Sequence, residues 1–575
     1  MTRKILLLSL VFGILAAYVP AQSAVLPAAP MTDSSPSNSD VKAVLEQVQN
    51  LIRAQAQQIE SQRQQLQSQQ QQIEQLRQQI GGSQPNPASA TEQEHLAAST
   101  AAALSAGSKA LADSGTGSSS QPAVAISVAP SKAERAPVPD PLSIHFGNAT
   151  LTPGGWVDFT AYSRSTDVGS GLGTSFAGIP YNNTVAGGLT ETRFSAQSSR
   201  ITLRADEKFG ATKVFAYGEA DFNGYLPSNA YVSTNSDTLR LRVYFADLSR
   251  RRWEVLGGQS WSLLTPNRVG VSPFLSEIYN TLHLDTNYQV GLTYARQAQL
   301  RAVYHFTPNV ALGLSAENPD QYSGSAATFP ALFSTAQTDI NSSTGSGGGT
   351  ATPTLHPDII SKLSADAHWG QRTWHFETAG LLTPVAIVTP ATVTKTVRRK
   401  DEREGGGVSA AVNLEVVRNL HLITTGFWSD GGGRYIGGLG PGFVVEQLGS
   451  KSAPFNAQLV HSGSGIASAE WQVSKTNVLA FSYSGAYFAR AFSTDPSSGA
   501  LVGYGFAGSA NSNNRALNEG TFATQTTLWK HAGYGAVQVI TQSSWINRAP
   551  WYVAPGQPKD AHLFAGYANL RYVLP

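Results

Sequence analysis

The chain has no cysteine, which excludes a disulfide scaffold, a thiolate metal site and a thiol nucleophile. Charge is scarce as well. Only 14% of residues are Asp, Glu, Lys or Arg, against about 25% in an ordinary soluble domain. The formal charge of +2 is too small for broad nucleic-acid binding. Beyond the extreme N-terminus no apolar run reaches about 18 residues, which excludes a bundle of membrane helices. It does not exclude a membrane β-barrel, whose strands alternate and average to near-neutral hydropathy; the mean hydropathy is −0.16. Aromatic residues are missing between Val19 and His145, whereas all ten Trp lie between Trp156 and Trp551. A stretch without aromatics buries little core, so everything that needs a core lies in the later part.

The N-terminal segments read by pattern. Arg3 and Lys4 precede the apolar run Ile5–Tyr18, and small residues follow to Ala24; residues 1–24 are expected to be a secretory signal. A linker occupies 25–39. In 40–81, Leu45, Ile52, Ile59, Leu66, Ile73 and Ile80 recur every seven residues, with Val41, Val48, Gln55, Gln62, Gln69 and Leu76 between them. That period specifies a left-handed coiled coil and hence an oligomer, of two or three strands on this pattern. Residues 82–142, rich in Ala, Ser, Gly, Pro and Gln, are expected to be a linker without fixed structure.

From 143 to 575 the signal is period-two alternation broken by Gly, Ser, Asn and Pro clusters. Sixteen candidate strands follow: 155–164, 192–206, 212–224, 238–249, 252–261, 289–306, 309–316, 358–368, 372–382, 408–417, 419–429, 465–475, 476–489, 521–529, 535–546 and 562–573. Short turns alternate with long Gly/Ser-rich connections. The fold class is therefore all-β, a 16-stranded antiparallel transmembrane barrel following a helical coiled coil. About sixteen strands leave an aqueous channel, while a plugged transporter needs about 22. Trp156, Trp253, Trp428, Trp529 and Trp545, near strand ends, suit interfacial girdles.

The polar faces suggest the pore. Arg200, Thr202, Arg204 and Asp206 share one face of a strand. Lys213, Phe215, Tyr217, Glu219 and Asp221 share one face of the next, and Arg240, Arg242 and Tyr244 one face of the third. An Arg or Lys on the lipid face costs about 2–4 kcal/mol near the midplane, so these faces are expected to point inward. Arg301 extends the set. Two readings compete: cross-strand pairing of Glu219 and Asp221 with the arginines, or an excess positive field that favours anions. Arg200, Arg204, Arg240, Arg242, Arg301, Glu219 and Asp221 are the expected constriction residues.

No catalytic signature stands beside them. The Gly431–Gly440 run lacks the ending of a phosphate loop and reads as a barrel loop. Arg398–Glu404 reads as a solvated loop tip. No histidine pair has metal-ligand spacing, and no Ser/His/Asp set can be assembled from isolated residues. No enzyme activity, cofactor or metal is expected.

The chain resembles the DcaP-like porins of Gram-negative outer membranes. The matching stretches are Arg193–Arg200, Gly218–Phe222, Leu239–Arg242 and Gly258–Ser262. Fainter echoes are Arg296–Arg301 with Glu317–Pro319, Pro357–Ile359 and Gly433–Ile436. The resemblance spans about 150–440. It implies a homotrimer of 16-stranded barrels in outer-membrane lipid and passive uptake of small, often anionic solutes such as dicarboxylates. It also implies a periplasmic coiled coil, with the cell wall as a further contact. Arg200, Arg240 and Arg242 fall on matching positions. The ending Tyr572-Val-Leu-Pro575 departs from the usual terminal aromatic. The competing expectation is a coiled-coil-stalked adhesin or structural protein that does not conduct.

Overall fold

The computed structural model describes residues 142–575, without 225–237, 275–281, 325 and 340–353. The expected signal and coiled coil lie outside the described residues, as does the linker up to residue 141. Sixteen long strands form one antiparallel sheet. They are β1 (Ala149–Arg164), β2 (Arg200–Phe209), β3 (Thr212–Asp221), β4 (Arg240–Arg250), β5 (Trp253–Trp261), β6 (Arg296–Thr307), β7 (Val310–Glu317) and β8 (Asp358–Trp369). The others are β9 (Arg372–Thr389), β10 (Arg399–Val417), β11 (Leu420–Asp430), β12 (His461–Trp471), β13 (Asn477–Phe488), β14 (Asn514–His531), β15 (Gly535–Pro550) and β16 (Ala561–Val573). β16 pairs with β1 from Trp156↔Val573 to Arg164↔Ala565, and β1 pairs with β2 on its other edge. The sheet therefore closes, and closure leaves no edge of unpaired N–H and C=O groups.

Tight turns such as 210–211, 251–252 and 308–309 mark one rim, and long connections mark the other. Along β16 the outward Phe564 and Leu570 are 55% and 50% exposed, while the inward Leu563 and Ala565 are buried. Apolar side chains left exposed in a continuous belt are those that face lipid. Two aromatic girdles bound the belt. Tyr483, Trp545 and Phe564 are exposed and lie in one register row that passes through Gly520. Toward the short-turn rim lie Trp529, Tyr534 and Tyr572. Phe564 and Tyr572 are eight residues apart on β16, about 26 Å along the strand and about 20 Å across a sheet tilted by roughly 40°. Directly beyond the upper row the outward residues turn polar, with Asn518, Asn547 and His562 in register.

Several expectations are corrected. The strand expected at 192–206 is two pieces, Glu191–Ser195 and β2, both paired with β1 and separated by the turn 196–199. The strand expected from 289 begins at Arg296, because 289–295 bonds inside the barrel instead. The charged run 398–404 is mostly strand, not a loop tip: from Arg399 it extends β10 beyond the belt, paired with β9 as far as Thr389. Its charges cost little there because most of them stay exposed and neighbours of opposite sign pair along the strand, as Arg403 does with Asp401 at 3.1 Å. Trp156 is not a girdle residue. It shares the inward face of β1 with the buried Asp158 and Thr160, while Val157 and Phe159 are exposed.

Close strand packing explains individual glycines. Gly258 holds φ +137°, and a Cβ there would stand 2.4 Å from the Tyr244 carbonyl oxygen. Ala568 lies midway along the outward face of β16, between Phe564 and Tyr572. Ala568→Arg should therefore lower the unfolding free energy in lipid vesicles by about 2–4 kcal/mol, read from urea melts. An unchanged midpoint would place that face away from lipid.

Candidate functional site

The charged wall is built by register. Trp156, Arg200, Asp221 and Arg240 stand side by side on β1 to β4. Thr202 and Glu219 form the next inward row. A β-bulge then breaks the alternation of β4: Glu219 opposes Val243, Ala220 opposes Leu241, and Arg242 is the extra residue. A bulge turns consecutive residues to one face; Arg242 and Val243 are both buried inside. Every later residue of β4 swaps sides, so Tyr244 faces outward, 45% exposed, rather than joining Arg242 as the alternation predicts.

The bulge gives Arg242 its reach. Its Nε donates to Glu219 Oε1 at 2.6 Å, Nη1 to Asp221 Oδ2 at 2.7 Å and Nη2 to the Tyr288 hydroxyl at 2.8 Å. Arg240 binds Asp221 through two parallel bonds of 3.0 and 2.8 Å, the strong bidentate geometry. Arg200 lies 3.3 Å from Glu219 and 4.3 Å over the Trp156 ring. Arg571 approaches the same ring at 4.8 Å and pairs with Asp158 at 2.7 Å. Cross-strand pairing is thus what Glu219 and Asp221 do.

The remaining expected residues sit apart. Arg204 lies toward the short-turn rim, bound to Asp206 at 2.6 Å and 4.8 Å over Phe215. Arg301 is buried on β6, donating to Gln299 Oε1 and to the Trp261 carbonyl at 2.5 Å. Alternation alone did not single out Arg296, Arg571 or Trp156. Arg296 is half-buried, 5.4 Å from the Trp261 ring centroid, and has no carboxylate within ion-pair distance among the described residues. Arg240 and Arg242 are among its charged neighbours.

Facing this wall is a loop inside the barrel. Its described residues, 262–274 and 282–295 between β5 and β6, begin along the far wall. Leu263 N–H donates to Glu317 on β7, Lys362 on β8 donates to the Thr265 carbonyl at 2.7 Å, and Arg268 pairs with Glu470 on β12 at 2.5 Å. Phe274 then stacks edge-on against Phe215 and Tyr217 on β3, with centroids 5.1 and 5.0 Å apart. The chain later passes Gln542 on β15, Glu519 on β14 and Ser482 on β13. Irregular backbone inside a barrel needs partners for its N–H groups. Wall acids supply several of them: Glu317, Glu377 and Glu519 accept from Leu263, Asn267 and Val290. Many inward acids therefore hold the loop rather than face open water. Within the loop, His283 Nδ1 lies 2.8 Å from the Tyr288 carbonyl, and burial keeps its imidazole below the ordinary range.

A second junction unites the faint motifs. Arg434, in the β11–β12 loop, donates to Asp358 at 2.6 Å, to the Asn318 carbonyl at 3.0 Å and to Gln297 at 3.1 Å. The buried Tyr435 hydroxyl donates to Asp358 at 2.7 Å; burial pushes it well above its ordinary range, so it keeps its proton. Stretches far apart in sequence, carrying Gln297, Asn318 and Asp358, meet at the one guanidinium of Arg434.

The comparisons agree with this architecture. The barrel is similar to the outer-membrane channel DcaP of Acinetobacter baumannii, at 14% identity over 74% of this chain and 98% of that one, with a TM-score of 0.51. It also matches an anion-selective porin from Comamonas acidovorans, at 11% identity over 74% of this chain and 100% of that one, with a TM-score of 0.40. No family model and no curated protein matches. The chain has the closed 16-stranded fold of an outer-membrane channel, and its DcaP neighbour accords with the resemblance of the motifs.

Lys362 tests the loop anchorage. It is buried against Glu377 at 3.1 Å. Lys362→Met leaves that carboxylate with only Asn267 N–H and His375 as partners and should cost about 1–3 kcal/mol, read from the unfolding midpoint. The double variant Lys362→Met/Glu377→Leu should recover much of the loss. An equal loss in both would remove the pairing from the account.

Proposed function

We propose that this protein is an outer-membrane porin through which small hydrophilic solutes diffuse passively, with a mild preference for anions such as dicarboxylates. It works as a homotrimer, with the coiled coil in the periplasm. The carrying observation is the charge balance beside the inward loop. Arg200, Arg240, Arg242, Arg296 and Arg571 face Glu219, Asp221 and Asp158. Five cations against three anions leave a positive remainder, and Arg296 is the member without an acid partner among the described residues. At physiological salt the field decays over about 8 Å, so a narrowed lumen feels it across its width. An anion entering from bulk water keeps part of its solvation by exchanging waters for guanidinium N–H donors, whereas a cation meets repulsion. A dicarboxylate suits two separated guanidiniums, and Arg240, with its side chain 31% exposed, is open to one end.

The roles then divide. Arg240 and Arg296 carry the selective charge. Arg200 and Arg242, buried and neutralised by Glu219 and Asp221, hold the wall and the loop in place. Arg204, paired with Asp206, and Arg301, buried against Gln299 and the Trp261 carbonyl, lie outside this cluster. No bond is made or broken in this function, so no catalytic residue is assigned.

The test is reversal potential in planar bilayers under a salt gradient. The wild type should show trimeric conductance steps and a potential on the anion side. Arg240→Ala/Arg296→Ala should move that potential toward cation selectivity while conductance persists. Unchanged selectivity removes the two arginines from the account, and absence of any conductance favours the non-conducting alternative.

A further inference from the structure

Outside the lumen, two guanidiniums share one indole. Trp551 directly follows β15 on the long-loop rim and is half-buried, with its Nε1 donating to the Phe488 carbonyl at 2.9 Å. The Arg490 guanidinium lies 4.4 Å from the ring centroid and that of Arg515 lies 6.0 Å from it. Tyr487, on the outward face of β13, meets the ring edge-on at 6.1 Å. Both arginines are exposed, and neither has a carboxylate within ion-pair distance among the described residues. The indole thus collects two like charges, which repel each other, on a patch with no counter-ion among the described residues. Such a pair is completed by an anion from outside, which planar guanidiniums bind through paired N–H donors.

The height of the patch identifies that anion. The upper girdle row contains Tyr483, Trp545 and Phe564. Tyr487 is four residues beyond Tyr483, about 13 Å along the strand and about 10 Å above the girdle. Hydrocarbon ends at the girdle, and an ordinary phospholipid headgroup layer is only about 5–8 Å deep. A layer about 10 Å up is reached by a larger, sugar-based headgroup carrying phosphate. The side chains around the patch suit it: a half-buried indole and a tyrosine offer apolar faces to sugar rings, and the two guanidiniums take the phosphate.

We propose that Arg490, Arg515 and Trp551 form a binding site on the outer wall of the barrel for the phosphorylated sugar headgroup of an outer-leaflet glycolipid. The site tethers the β13–β15 sector of the rim to the membrane surface. It rests on the barrel's lying in a membrane and does not depend on what passes through the pore.

The experiment uses the full chain in detergent micelles, titrated with diphosphoryl lipid A and read by native mass spectrometry. The wild type should bind it about tenfold more tightly than Arg490→Gln/Arg515→Gln, the effect of losing two charge-assisted contacts. Dephosphorylated lipid A should bind both proteins weakly and alike, and phosphatidylglycerol should not compete. Equal binding of diphosphoryl lipid A by wild type and variant overturns the proposal, as does equal competition by phosphatidylglycerol. A test without substitution is the salt dependence of the wild type: lipid A affinity should fall several-fold between 50 and 500 mM NaCl, and salt-independent binding overturns the proposal. Channel conductance in planar bilayers reports separately on the pore.

Discussion

A closed sheet in lipid gives each strand residue two surroundings, hydrocarbon or lumen, and alternates between them along the chain. The other features of this barrel follow from that constraint. It sends Arg200, Glu219, Asp221 and Arg240 to the same side as one another and crowds them into neighbouring register positions. It leaves Leu203 and Leu241 exposed on the outside. Charges crowded inside a wall must then be neutralised, hydrogen-bonded or left facing water, and this wall does all three.

The β4 bulge is the local exception that organises the cluster. One extra residue costs a ladder pairing, but it lets Arg242 bridge Glu219, Asp221 and Tyr288 at once. Tyr288 belongs to the inward loop, so the wall and the obstacle in the lumen are fixed against each other by one guanidinium. The far side of the loop is held by a different chemistry. There, wall carboxylates cap backbone N–H groups that have no strand to pair with. Acidic residues in the lumen therefore serve two purposes. Their number alone says little about selectivity; what counts is which cations remain after the pairing is done, and Arg296 is one of these among the described residues.

Much of the barrel was legible. Sixteen strands were readable from alternation because the period-two signal is imposed by lipid on one side and water on the other. The misreadings fall where that imposition lapses. The segment 289–295 alternates but lies inside, where lipid does not sort its faces. The charged run 399–404 rises beyond the belt, where alternation carries no penalty either way. Trp156 is a large aromatic near a strand end, the usual mark of a girdle, yet two guanidiniums stack on it within the lumen.

By itself, then, the sequence determined the strand number, the inward placement of the charged faces and the absence of thiol chemistry, because these depend on residue type and spacing along one strand. Only the tertiary structure decided which charges cancel. Pairing depends on register across strands, on a single inserted residue and on a loop whose described residues, 262–274 and 282–295, bond to opposite walls. None of these is encoded in a local period. The meeting of Gln297, Asn318, Asp358 and Arg434 belongs to the same class: the β11–β12 loop folds back onto β6–β8 and brings together residues that lie far apart along the chain.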